Sequence, residues 1–428
     1  MLPATRTNMT ELKQTLTLLR GTGLMLNIVV GAGLLALPGL TVAVAGDQAL
    51  WAWLVCTIAA LPLLLVFVIL GGRHPDAGGI AHFVKLAFGE HGYIAASLIF
   101  LGAVAFGLPA IALTAGHYIT AITGGPPVAF ASGIVILAAL CLTISPDMAA
   151  RLSTIIASTI LTVLLIIIGI GLAGIDWTVA TTNIAPVTDI SPSVVLAPFM
   201  MIFFAFTGWE VASSLSEEFR DPKRDFPRAM MLSFAIATML YLSMTFIVQT
   251  APQIESHEAA FVEILGARLG AAGGLLVAAI ATLVIAANLT GALWAVSRMV
   301  FALSREGHLF VRLKLNPAGA PVSSVILTSL IILLVLAADG MDLLNIEGML
   351  AIAGQNFFIL YGLAGFALFR HARHWSDRGV AMLAILVVTG LLVVEGLASL
   401  PYPVALALVG VVGLVIRLWI RRKNASSG

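Results

Sequence analysis

The sequence predicts an all-α membrane protein with twelve transmembrane helices. Three observations carry that expectation: composition, the lengths of the apolar runs and the placement of the basic residues. Of 428 residues, 60% are hydrophobic and 10% charged, whereas soluble domains carry about 25% charged residues. A soluble globular protein is therefore excluded. Crossing the ~30 Å hydrocarbon layer takes roughly 20 apolar residues. Such runs lie at Leu18 to Val44, Leu50 to Leu70, Ile94 to Ile122, Val128 to Ile144, Leu152 to Leu172 and Val194 to Leu215. They continue at Ala229 to Val248, Leu275 to Leu303, Val322 to Ala338, Leu343 to Leu368, Val380 to Leu397 and Val404 to Ile420.

Basic residues are retained in cytoplasmic loops. With a cytoplasmic amino terminus and twelve spans, all of the 22 basic residues except Arg268 fall on the inner side. Dropping one span would scatter them. Both termini of this multi-pass protein are thus expected in the cytoplasm. The net charge of +1 points to no nucleic-acid partner. Cys56 and Cys141 sit in apolar runs, so neither a structural disulfide nor a cysteine metal site is expected. No metal or cofactor is expected. The first run is too long for a signal peptide and has no small-residue cleavage site, so the amino tail is expected to be retained.

The first span contains Val29, Val30, Gly31, Ala32 and Gly33. Two glycines this close weaken a helix by about 1 kcal/mol each relative to alanine. An interrupted helix at membrane depth is tolerated where it is buried in protein or lines a cavity. The second span ends in a glycine-rich segment at 71–79, and residues 80–89 suit a short interfacial helix that includes His82. His117, in the outer half of the third span, is a gating candidate because ionisable groups at membrane depth are costly. Asp147 and Arg151 are spaced for an ion pair at the start of the fifth span. That span holds Ser153, Thr154, Ser158, Thr159 and Thr162 but no charge.

The sixth span repeats the anomaly of the first with Phe203, Phe204, Phe206, Thr207, Gly208, Trp209 and Glu210. A bare carboxylate at this depth costs roughly 2.5 kcal/mol or more, so Glu210 must be paired, protonated or wet. The two anomalies lie five spans apart, and an odd number of spans inverts orientation. Broken helices at matching positions of inverted halves point to a transporter site at the midplane. Helices 1–5 at 18–172 and helices 6–10 at 194–368 then form a five-plus-five inverted repeat, joined by a connection at 173–193. Helices 11 and 12 follow at 369–420, with tails at 1–17 and 421–428. Amides after the first break suit an anion, and carbonyls before each break suit a cation. Together they fit the carboxylate and ammonium of an α-amino acid. No lysine or arginine stands near either break, and the phenylalanines make an apolar side-chain pocket.

These residues resemble the amino acid–polyamine–organocation transporter superfamily. The likeness rests on Val30-Gly31-Ala32-Gly33, Ala77-Gly78-Gly79, Phe206 to Glu210 and Asp221 to Ala229. Within it, Ala49 to Trp53, Gly78 to Val84 and Glu218 to Met230 look like the bacterial efflux carriers for methionine and branched-chain amino acids. The resemblance implies a LeuT-like fold of twelve helices, with helices 1 and 6 broken, and alternating access. It implies that the Ala32 and Gly33 amides bind the substrate carboxylate, and that the Val29, Phe204 and Thr207 carbonyls bind its ammonium. Phe204 or Phe206 would be the aromatic gate. Two departures stand out. The family's Gly-Ser-Gly is here Gly31-Ala32-Gly33, and the fifth span lacks the lysine found in several relatives.

The expected function is secondary transport, as efflux, of methionine, leucine, isoleucine and valine. Uptake or exchange by the same fold is the alternative. The driving force is left open, with Glu210 and Trp209 as coupling or gating candidates for a proton, which is favoured over sodium. Asn288 and Thr290 in the eighth span suit helix packing better than a cation site. An intramembrane hydrolase is disfavoured because His257-Glu258 is followed by Phe261 where a zinc-protease pattern needs histidine. A channel is disfavoured because isolated carboxylates make no selectivity ring.

Overall fold

The structure, a computed structural model, describes residues 16–30, 33–74, 79–144, 161–251, 254–305, 307–309, 313, 321–395 and 400–426. Gly31, Ala32, Ala77, Gly78, Asp147, Arg151 and the first hydroxyl residues of the fifth span lie outside them. The regular structure within the described residues is helical, with one isolated bridge between Leu16 and Phe219.

The first apolar run forms α1 (Leu18–Val29), which ends with Val30 out of helical geometry, and α2 (Gly33–Ala45). After a short turn come α3 (Ala49–Arg73) and α4 (Gly79–Thr123). Gly89 has φ 66° and splits α4 into a short amino-terminal arm and a long helix, as the interfacial-helix reading expects. Next are α5 (Pro127–Ile144), α6 (Leu161–Ala173) and, in the long connection, α7 (Trp177–Thr182). The sixth run is three pieces: α8 (Pro192–Leu196), α9 (Phe199–Ala205) and α10 (Trp209–Ala212). Then follow α11 (Asp225–Gln249), α12 (Ala260–Leu269), α13 (Ala271–Arg305) and α14 (Val322–Asp339). The chain closes with α15 (Ile346–His371), α16 (Trp375–Glu395) and α17 (Pro401–Ser426). Seven helices among the described residues are long and apolar enough to cross a membrane, and shorter apolar helices lie at 127–143, 161–173, 199–212 and 401–416.

Helix α12 was not expected. Ten residues are too few to span a bilayer, so a search for long apolar runs passes over it.

The broken helices lie at the centre. α1 packs on α11 and α10, α2 on α11 and α3, and α9 on α15 and α3. Gly354 of α15 lets that helix touch α9 closely: a Cβ there would collide with the Met200 carbonyl and stand 3.3 Å from the Phe204 nitrogen. At one end of the bundle, Leu16 exchanges backbone hydrogen bonds with Glu218 and Arg220 at 2.9 and 3.0 Å. Phe219 is buried there against Gly21 and Phe226. At the other end, Gln249 donates to the carbonyls of Asp47 and Asn183 and accepts from the Leu50 amide. There too the His257 carbonyl is pressed on Gly39 of α2. Contacts between distant segments are thus present at both ends of the interrupted helices.

Candidate functional site

The site begins where α1 stops. The Val30 amide makes the last helical bond, to the Leu26 carbonyl at 2.7 Å. Carbonyls in the last turn of a helix lack intrahelical donors. One of them, Val29 O, faces the Tyr241 hydroxyl of α11 at 3.2 Å, and that hydroxyl also meets the Ala205 carbonyl at the end of α9 at 2.8 Å. Tyr241 thus bridges the ends of both interrupted helices. A phenol has one proton; the shorter contact, Ala205, takes it, and Val29 O keeps capacity for another donor. Tyr241 is 1% exposed, with its ring 5.1 Å from Trp53 and 5.4 Å from Phe206.

The second break is held from within. Phe206 and Thr207 amides donate to the Phe203 and Phe204 carbonyls at 2.9 and 3.2 Å. The Thr207 hydroxyl adds a bond to Phe204 O at 2.7 Å, so the lone pairs of that carbonyl are both engaged. Gly208 then takes φ 104°, a left-handed conformation open to glycine at little cost. A Cβ at Gly208 would lie 3.2 Å from Val29 Cγ2 and 3.4 Å from Ile28 Cγ2. The two breaks therefore approach closely, with no room for a larger residue at Gly208.

Glu210 is 3% exposed. Its Oε2 accepts the Gly208 amide at 2.9 Å and a short hydrogen bond from the Tyr361 hydroxyl of α15. Both donors converge on one oxygen, so the other can carry a proton without breaking either bond. Tyr361 is buried between Phe67 and Phe203, at ring distances of 4.6 and 5.5 Å. The carboxyl therefore ties the second break to α15 in dry surroundings.

The aromatic residues divide. Phe206 and Trp209 are buried; Phe206 lies 6.0 Å from Trp53, and both rings pack on Phe234. Phe204 is half-buried, over Gly107 of α4 and 6.3 Å from Phe357. Gly33 starts α2. His117 is half-buried on α4. Its neighbour Tyr118 reaches α2 instead, donating to the Leu35 carbonyl at 3.1 Å. Thr290 donates back to Ala286 of its own helix at 2.7 Å.

Sequence reasoning missed the three tyrosines, 118, 241 and 361, that hold the broken helices. A signal existed: the chain has five tyrosines, and a buried phenol in an apolar helix usually seeks a hydrogen-bond partner.

Comparison with known proteins agrees with this arrangement. A family model described as amino acid permease matches residues 16–418. An uncharacterized amino acid permease of Bacillus subtilis, YecA, is 30% identical over 358 residues, covering 82% of this chain and 84% of its own. The L-methionine/branched-chain amino acid exporter YjeH of Escherichia coli is 35% identical over 243 residues, 56% of this chain and 57% of its own. The large neutral amino acids transporter small subunit 2 of mouse is 27% identical over 360 residues, 79% and 67% of the two chains. With the match running through both broken helices and nearly the whole chain, this protein belongs to the amino acid permease family of transporters.

Proposed function

We propose that the chain is a secondary carrier that exports neutral apolar L-amino acids, methionine, leucine, isoleucine and valine, by alternating access. The observation that carries this reading is the close approach of two interrupted helices, whose ends are bridged by Tyr241. A zwitterion needs an amide group for its carboxylate and carbonyls for its ammonium, and helix ends supply both. In this reading the amides near Ala32 and Gly33 take the carboxylate, and Val29 O with the Tyr241 oxygen takes the ammonium. An aliphatic side chain would lie among aromatic rings, with Phe204, only half-buried, as the gate. Similarity to a methionine and branched-chain exporter supports the substrate class and the direction.

The same reading has twelve spans in two inverted repeats, with both termini cytoplasmic in a bacterial inner membrane. Glu210 is the proton-coupling group, because its two hydrogen bonds leave one oxygen to titrate.

The test is uptake of labelled leucine or methionine into proteoliposomes preloaded with unlabelled amino acid, with and without a pH gradient. Saturable counterflow that responds to the gradient is expected. No counterflow with any apolar amino acid overturns the substrate, and counterflow indifferent to pH overturns the proton.

A further inference from the structure

Where α15 ends and α16 begins, a groove of about 690 Å³ opens at the end of the bundle that holds the start of α1. Phe88 of the short arm of α4 and Phe366 and Phe369 of α15 line it, with Arg370, Arg378 and Trp375. The three phenylalanines are exposed, and Trp375 is 85% exposed. Tryptophan, an apolar ring with a polar N–H, concentrates at the membrane–water boundary.

The charge around the groove is one-sided. Arg370 donates to the Ala87 carbonyl at 2.8 Å, which joins α15 to the short arm of α4. The Arg378 guanidinium lies 5.3 Å from the centre of the Trp375 ring. The nearby carboxylates are already engaged: Asp377 takes a bidentate pair from Arg73, its Nη2 to Oδ1 distance 2.9 Å, and Glu90 pairs with Lys85 at 2.6 Å. Among the described residues neither Arg370 nor Arg378 forms an ion pair. Burial, and then the neighbouring His371, Arg373, His82 and Arg73, hold the His74 imidazole below its ordinary value.

A positive rim above an apolar aromatic wall complements a molecule with an anionic head and a hydrocarbon tail. We propose that the groove binds an anionic phospholipid, its phosphate between Arg370 and Arg378 and an acyl chain along Phe88, Phe366 and Phe369. The lipid would then clamp the short arm of α4 to the corner between α15 and α16. This inference depends on the chain being a membrane protein and is independent of which amino acid it carries.

The test is native mass spectrometry of the full chain in detergent, titrated with phosphatidylglycerol and with phosphatidylcholine. The wild type is expected to retain phosphatidylglycerol preferentially. Each of Arg370→Gln and Arg378→Gln should weaken that binding about fivefold, the contribution of one basic residue near an anionic surface, and leave phosphatidylcholine unchanged. Arg378 is exposed and its aliphatic stem lies on the surface, so Arg378→Gln is the variant that tests the site if Arg370→Gln unfolds. Equal retention of both lipids, or a wild-type preference in Arg378→Gln, overturns the proposal. Displacement of phosphatidylglycerol by glycerol phosphate at equal concentration identifies a free-phosphate site and overturns it as well.

Discussion

Replacing Tyr241 with phenylalanine removes one oxygen and leaves the ring against Trp53 and Phe206, at 5.1 and 5.4 Å. The lost oxygen is the only group in the structure seen to join the Ala205 and Val29 carbonyls among the described residues. One hydrogen bond is worth about 1 kcal/mol net, rising to roughly 3 kcal/mol if the buried Ala205 carbonyl finds no new donor. Within membranes the measured average is nearer ~0.6 kcal/mol. If the hydroxyl preorganises the carbonyls for the ammonium, most of this loss appears in substrate affinity. Leucine binding should weaken about fivefold, corresponding to ~1 kcal/mol. Isothermal titration or scintillation proximity with the purified variant reads this directly. Isocaproate, which keeps leucine's carbon skeleton and carboxylate but lacks the amino group, provides the control. Its competition constant should be the same for wild type and variant. A Tyr241→Phe protein that binds leucine as the wild type does, or loses leucine and isocaproate affinity equally, would refute the assignment of this hydroxyl to the ammonium half of the site.

Glu210→Gln keeps an acceptor for the Gly208 amide and the Tyr361 hydroxyl while removing the titratable group, so counterflow at equal pH should persist and its response to a pH gradient should vanish; proteoliposome uptake checks both. Arg73→Gln leaves Asp377, which is 3% exposed, with the His374 amide at 3.3 Å as its remaining backbone donor. A loss of roughly 2 kcal/mol follows from the buried carboxylate's missing charge partner, seen as a lowered melting temperature, with leucine affinity unchanged because the pair lies at the end of the bundle.

Much of the helical frame is legible in the sequence, because the length of an apolar run is a local property. The two interruptions are legible for the same reason: the first lies between Val29 and Gly33, in the glycine-containing part of the run, and Gly208, at φ 104°, marks the second. The turn of α4 at Gly89 also follows from a local cue. What the sequence conceals is long-range pairing. Tyr361 is 151 residues from Glu210, and Tyr241 is 212 from Val29, so neither bond has a spacing to betray it. The phenylalanines were equally ambiguous. Phe204 and Phe206 are two residues apart, yet one lies half-buried between α4 and α15 while the other is enclosed beside Trp53. Which ring meets a substrate depends on the direction the chain takes after α9, not on residue type. The groove at Arg370 and Arg378 was likewise hidden, since the positive-inside pattern accounts for those arginines before any geometry is known.

The proposed transport rests on the interrupted helices clamping a neutral amino acid through their backbone. Leucine binding to purified Gly33→Val protein tests it most directly, because a branched side chain on the first residue of α2 would fill the space beside the amides assigned to the carboxylate. A folded protein is expected, with a wild-type elution profile and circular dichroism spectrum, that has lost saturable leucine binding. A folded Gly33→Val protein that binds leucine with wild-type affinity would contradict it and move the ligand away from the breaks.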